Sequence, residues 1–155
     1  MANTELTATY GGTVAQANGN ALDHVNLVTF VDQTYNFSPL VLAVGLTTSF
    51  ESDTTIAARV YRKGEIFDAD MLFSPSQTFK VGGVGPGIDI QSVATHEAGH
   101  MFGLSHSTLQ SSTMFYALPG GFAARSLTSD DQLVYFKAYG TPAALTAAKN
   151  CAGRR

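Results

Sequence analysis

The sequence predicts an α+β domain with its strands first and its helices last. Three observations carry this reading. Alternating or β-branched segments recur between residues 6 and 81, and the run Gly82-Gly83-Val84-Gly85-Pro86-Gly87 then interrupts regular structure. Helical apolar spacing follows twice, from Ile90 and from Ser129. The chain has 155 residues, 45% hydrophobic and 14% charged, which suits one domain with a core of its own.

Leu6-Thr7-Ala8-Thr9-Tyr10 alternates and ends at Gly11-Gly12, as a strand before a turn does, and Ala17-Asn18-Gly19-Asn20 has the composition of a loop. Val25 to Val31 and Leu40 to Thr48 are rich in the branched and aromatic side chains that fit a pleated surface. Two further strands are expected at Ile56 to Arg62 and Glu65 to Phe73, around a turn at Lys63-Gly64, with a short one at Thr78 to Val81. Asp89 has the side chain of an N-cap for a helix beginning at Ile90, whose apolar faces are Val93, Ala94, Ala98, Met101 and Phe102. The last helix opens at Ser129-Asp130-Asp131, carries Leu133, Val134, Phe136 and Tyr139, and stops at Gly140 and Pro142.

Composition excludes several functions. A net charge of -3, with nine Lys and Arg scattered along the chain, leaves no basic stripe for a phosphate backbone, so no nucleic-acid partner is expected. No apolar run approaches the roughly 18 residues of a membrane span. The start, Met1-Ala2-Asn3-Thr4-Glu5, lacks the basic and apolar regions of an export signal, so a secreted protein would carry its signal elsewhere. Cys151 has no intrachain partner, being the single cysteine. An unimportant thiol, a metal ligand and a bond to another chain all stay open for it.

The chemistry lies in residues 96 to 106, HEAGHMFGLSH, which hold three of the four histidines. A random HExxHxxGxxH would arise on the order of once per hundred thousand chains of this composition. On a helix, His96 and His100 stand one turn apart, with Cβ atoms roughly 5–6 Å from each other, so both imidazoles can close on one Zn²⁺. Glu97, rotated by about 100° from His96, falls beside that ion as a general base rather than on it. A straight helix would carry His106 away. Gly103 tolerates the left-handed conformation that ends a helix, and so lets the chain return His106 as third ligand. Three protein ligands leave a position for water, the pattern of a catalytic zinc, and peptide-bond hydrolysis is the expected reaction. The fourth histidine, His24, sits in a polar loop with a surface role.

This extended motif, with Ser107 after it and Ser112-Thr113-Met114-Phe115-Tyr116 beyond, resembles the metzincin metalloproteases and among them the matrixins. Met114 lies only eight residues past His106, a short connection like that of matrixins. Glu65 to Phe73 and Leu127 to Gly140 are also similar to the matrixin strand before the active-site helix and to its last helix. The resemblance implies a metzincin fold: a twisted, mainly parallel sheet with one antiparallel edge strand, an active-site helix and a C-terminal helix. It places that edge strand near Thr78 to Val81, puts Met114 beneath the zinc, and makes Tyr116 through Arg125 a wall of the pocket for the residue after the cut. Tyr116 is then a fifth ligand, a donor to the tetrahedral intermediate, or plain pocket wall.

The implied protein is a secreted, monomeric zinc endopeptidase acting on extended protein or peptide segments, with residues 1–140 as catalytic domain and 141–155 as tail. An inactive module that keeps zinc and the peptide groove is the alternative. Residues 71–95 contain no histidine for the second, structural zinc of matrix metalloproteinases, so one zinc is expected. Calcium is a further ion the resemblance admits, although Asp53, Asp68, Asp70 and Asp89 follow no EF-hand pattern. The long first helix of the family has no counterpart in Thr4 to Asn20, which reads as strand and turn.

Overall fold

The computed structural model describes residues 8–15, 22–31, 35–118 and 124–140. Seven strands precede two helices: β1 (Val28–Thr29), β2 (Ala43–Ser49), β3 (Thr54–Ile56), β4 (Arg59–Tyr61), β5 (Ile66–Phe73), β6 (Phe79–Lys80), β7 (Ile88–Asp89), α1 (Ile90–Met101) and α2 (Ser129–Tyr139). The α+β order holds in the described residues. No helix there precedes Ile90, and residues 6–7, the tail with Cys151, and Pro119-Gly120-Gly121-Phe122 lie outside them.

The main sheet has the order β1-β5-β2. β5 pairs in parallel with β1 over two residues and antiparallel with β2 from Ala43↔Phe73 to Ser49↔Ile66. This sheet is mixed rather than mainly parallel among the described residues. The antiparallel edge strand is also not where the resemblance put it: Phe79–Lys80 pairs in parallel with Ile88–Asp89, apart from the main sheet, and β2 occupies the edge.

β1 is shorter than the apolar run at 25–31 because side chains take over its ladder. Asp70 Oδ1 accepts from Leu27 N at 2.8 Å and Asn26 Oδ1 accepts from Ala69 N at 3.0 Å, so those backbone donors are satisfied without a partner carbonyl. Asp68 Oδ1 accepts likewise from the amide of His24, which lies at the surface with its ring 5.4 Å from that of Phe67. Ala8 to Tyr10, the described part of the first expected strand, is not in a strand. Alternation alone cannot supply a partner for it.

The expected strand at 56–62 is a hairpin instead, with Thr54↔Tyr61 and Ile56↔Arg59 paired across Ala57-Ala58. Both alanines have positive φ, 47° and 67°. That turn is ordinarily written with Asn or Gly, so its signal was missing from the sequence.

α1 lies against the sheet. Ala43, Met71, Phe73 and Val93 form the main core, with Ile90, Ala94 and Ala98 of α1 packed onto it. Each large apolar side chain buried there contributes about 1.5–3 kcal/mol. A second cluster, Leu104, Met114 and Tyr135, joins the chain beyond α1 to α2.

Candidate active site

Asp89 caps α1, its Oδ2 accepting from Ser92 N at 3.1 Å. The helix ends in two bonds of a Schellman turn: Gly103 N donates to His100 O at 2.8 Å and Leu104 N to Gly99 O at 2.9 Å. Gly103 has φ +79°, the left-handed conformation this turn needs. The chain thus reverses and brings His106 back over the face that carries His96 and His100.

The three Nε2 atoms form a tight triangle, 3.1 Å between His96 and His100, 3.2 Å between His100 and His106, and 3.3 Å between His96 and His106. A tetrahedral ion with metal–nitrogen distances of about 2.0–2.1 Å separates its nitrogens by roughly 3.3 Å. The residues therefore fit a zinc ion, and all three could hold it.

The opposite ring nitrogens strengthen that fit. His96 Nδ1 is 2.7 Å from Thr113 O and His100 Nδ1 is 2.7 Å from Leu104 O. Carbonyls accept only, so each Nδ1 carries the proton and each Nε2 presents its lone pair to the cluster. Burial, above all, lowers the pKa of both imidazoles and keeps them neutral.

Glu97 is buried beside the trio. Burial pushes its carboxyl up to about 7, and the amide of Gly45, which donates to it, partly offsets the rise. β2 comes so close here that a Cβ on Gly45 would stand 2.8 Å from His100 Cβ and 3.1 Å from Glu97 O. Met114 is buried under α1, where a Cβ on Gly99 would meet its Sδ at 2.3 Å. Tyr116 is 70% exposed, its ring 4.5 Å from that of Phe115.

Sequence reading missed three of these positions. Gly45 and Gly99 are isolated glycines inside strand and helix patterns, which is the mark of a close approach. Asp131 was read as a helix start only. It accepts from Thr113 N at 2.9 Å, Met114 N at 3.2 Å, Thr128 N at 2.9 Å, Thr128 Oγ1 at 2.7 Å, and Ser112 Oγ. It ties α2 to the turn holding Met114 and to Thr113, whose carbonyl orients His96.

A helix carrying two histidines and a buried glutamate, with a third histidine past a glycine turn and a methionine beneath, is the plan of a metzincin-class metallopeptidase domain. The family model described as Matrixin matches residues 42–140, and the chain belongs to the matrixin family. It is 31% identical over 96 residues to karilysin of Tannerella forsythia, covering 60% of this chain and 20% of that protein. It is 46% identical over 44 residues to metalloendoproteinase 5-MMP of Arabidopsis thaliana, covering 28% and 12%. Matrix metalloproteinase-2 of Drosophila melanogaster is 30% identical over 95 residues, covering 59% and 12%. The matches thus span a fifth or less of these relatives' lengths.

Proposed function

We propose that the protein is a zinc-dependent endopeptidase in which His96, His100 and His106 hold one zinc and Glu97 is the general base. The convergence of three Nε2 atoms at 3.1–3.3 Å carries this reading. Zinc bound there supplies Lewis acidity that polarises a carbonyl and acidifies water. Glu97 then takes a proton from the attacking water and delivers it to the leaving amine, a task suited to a carboxyl whose burial lifts its pKa toward neutrality. Thr113 O and Leu104 O hold the rings that face the ion, and Met114 supports the helix from below.

The substrate is an extended protein segment. β2 is the edge of the main sheet, and a peptide adding to that edge by backbone hydrogen bonds passes Gly45, next to Glu97 and His100. Action outside the cell, as a monomer, follows from the family.

The test is Glu97→Ala on the zinc-loaded protein. It should keep one zinc by elemental analysis and lose cleavage of casein. Unchanged cleavage refutes the mechanism, and a zinc-loaded parent that cleaves nothing leaves the inactive binding module. Phenanthroline should abolish the parent's activity and added zinc restore it.

A further inference from the structure

Past the methionine, Leu118 packs onto the main core, and the described chain resumes at Ala124. The returning limb, Ala124 to Ser126, is tied at three points. Arg125 grips Asp89 with both arms of its guanidinium, Nε to Oδ2 at 2.9 Å and Nη2 to Oδ1 at 2.6 Å. The same guanidinium lies against the glycine-rich loop, where a Cβ on Gly83 would stand 2.8 Å from Nη2. Ser126 O accepts from Thr113 Oγ1 at 2.8 Å, and Thr113 O is the carbonyl bonded to His96.

Asp89 is already committed to α1, since its carboxylate also accepts from Ser92 N and Oγ. One carboxylate thus joins the first turn of the helix that carries His96, His100 and Glu97 to the limb that returns beside Thr113. The Arg125 side chain is 32% exposed, and an ion pair so placed adds little to stability. What a two-point guanidinium–carboxylate pair adds is a fixed distance and angle.

We propose that Arg125, through its fork on Asp89, is a positioning residue that sets the width of the pocket for the substrate residue after the scissile bond. This rests on the endopeptidase reading above and on the wall role given to the segment ending at Arg125. The opposite root of that segment, Leu118, is held by the core. Loss of the fork frees one side of the wall only, so the pocket widens without dismantling the histidine cluster.

The experiment uses zinc-loaded protein and peptides that differ only in the residue after the cut: Ala, Leu, Phe and Trp. Parent, Arg125→Ala, Arg125→Lys, Asp89→Asn and the double variant Arg125→Ala/Asp89→Asn are compared, with hydrogen exchange read in parallel. Asn keeps an oxygen for the Ser92 amide, so Asp89→Asn removes the ion pair and leaves the helix cap.

In Arg125→Ala and Asp89→Asn, the kcat/KM ratio between best and worst peptide should shrink by about tenfold, mostly through KM, since pocket fit discriminates by about 10- to 200-fold. The double variant should be no worse than either single one, as for partners in one contact. Amides of Ala124 to Ser126 should exchange faster in both single variants, and Arg125→Lys should fall between parent and Ala.

An unchanged ratio despite faster exchange makes the fork structural only and overturns the proposal. So does a change in Arg125→Ala that Asp89→Asn does not share. If Arg125→Ala fails to fold, Asp89→Asn and Arg125→Lys decide by the same criteria. A parent that cleaves none of the peptides overturns the endopeptidase reading and this inference with it, while the exchange data still report whether the fork holds the limb.

Discussion

Gly99→Ala adds one methyl group inside the histidine motif, at a position the motif leaves free. The new Cβ would stand 2.3 Å from Met114 Sδ, 2.9 Å from Met114 Cε and 3.6 Å from Leu104 Cδ1. The sulfur must retreat by more than about 1 Å to reach ordinary contact. It has little room, because Met114 is buried and its amide is bonded to Ser112 Oγ and Asp131 Oδ1. Two effects oppose each other. Replacing a helical glycine by alanine stabilises by about 0.8–1 kcal/mol, and overpacking a filled core costs about 1–3 kcal/mol. Overpacking wins by about 1 kcal/mol, which lowers Tm by roughly 3–5 °C. Strain on Met114 also reaches its neighbour Thr113, whose carbonyl holds His96, and perturbing such a partner weakens metal binding by about 10- to 100-fold. Urea unfolding of the metal-free protein and competition for zinc measure the two losses. A variant about 1 kcal/mol more stable than the parent, with unchanged zinc affinity, refutes the reasoning. In a Met114→Ala background the clash is gone, and the same substitution should become stabilising.

Asp131→Asn should destabilise by about 2–4 kcal/mol in urea unfolding, because a buried acceptor of several hydrogen bonds loses its charge and one acceptor oxygen. Burial pushes the Asp131 carboxyl up, but hydrogen bonds from Ser112, Thr128 and Thr113 outweigh it and hold the pKa below its ordinary value. Its stabilisation is therefore present above about pH 4 and is lost as pH falls through the folded-state value, an acid-limb loss that Asp131→Asn should not show. Glu97 behaves oppositely. Its pKa, raised from 4.5 to about 7, makes the metal-free parent lose stability relative to Glu97→Gln as pH rises through that window, and flat pH dependence of the difference would contradict the burial of the charge. Ala58→Gly relieves a left-handed alanine at the β3–β4 turn and should raise stability by about 1 kcal/mol in urea unfolding; a loss would mean the turn is unstrained. With its ring at the surface, Tyr116→Phe should leave kcat within about twofold, whereas a hundredfold loss would make the hydroxyl an oxyanion donor.

The parts of this molecule legible in its sequence are those fixed by local geometry. Helix periodicity, the cap at Asp89 and the stop at Gly103 each follow from a few neighbouring residues, and the histidine cluster is built from those three together. The β region was less legible because ladders depend on partners. Nothing near residues 25–31 announces that Asn26, Asp68 and Asp70 will stand in for backbone groups, since each of those side chains acts across about forty residues of chain. The edge strand was misplaced for a related reason: Thr78 to Val81 and Leu40 to Thr48 carry the same kind of branched pattern, and only packing against α1 chooses between them.

The isolated glycine in Val44-Gly45-Leu46 makes that choice physical. A strand lying 2.8 Å from His100 at the position of a missing Cβ can hold no larger residue there without moving the helix or itself. Thr78-Phe79-Lys80-Val81 contains no glycine and offers no such approach. The residue that identifies the edge strand is therefore the one with no side chain, and its amide, bonded to Glu97, is what joins the sheet to the base.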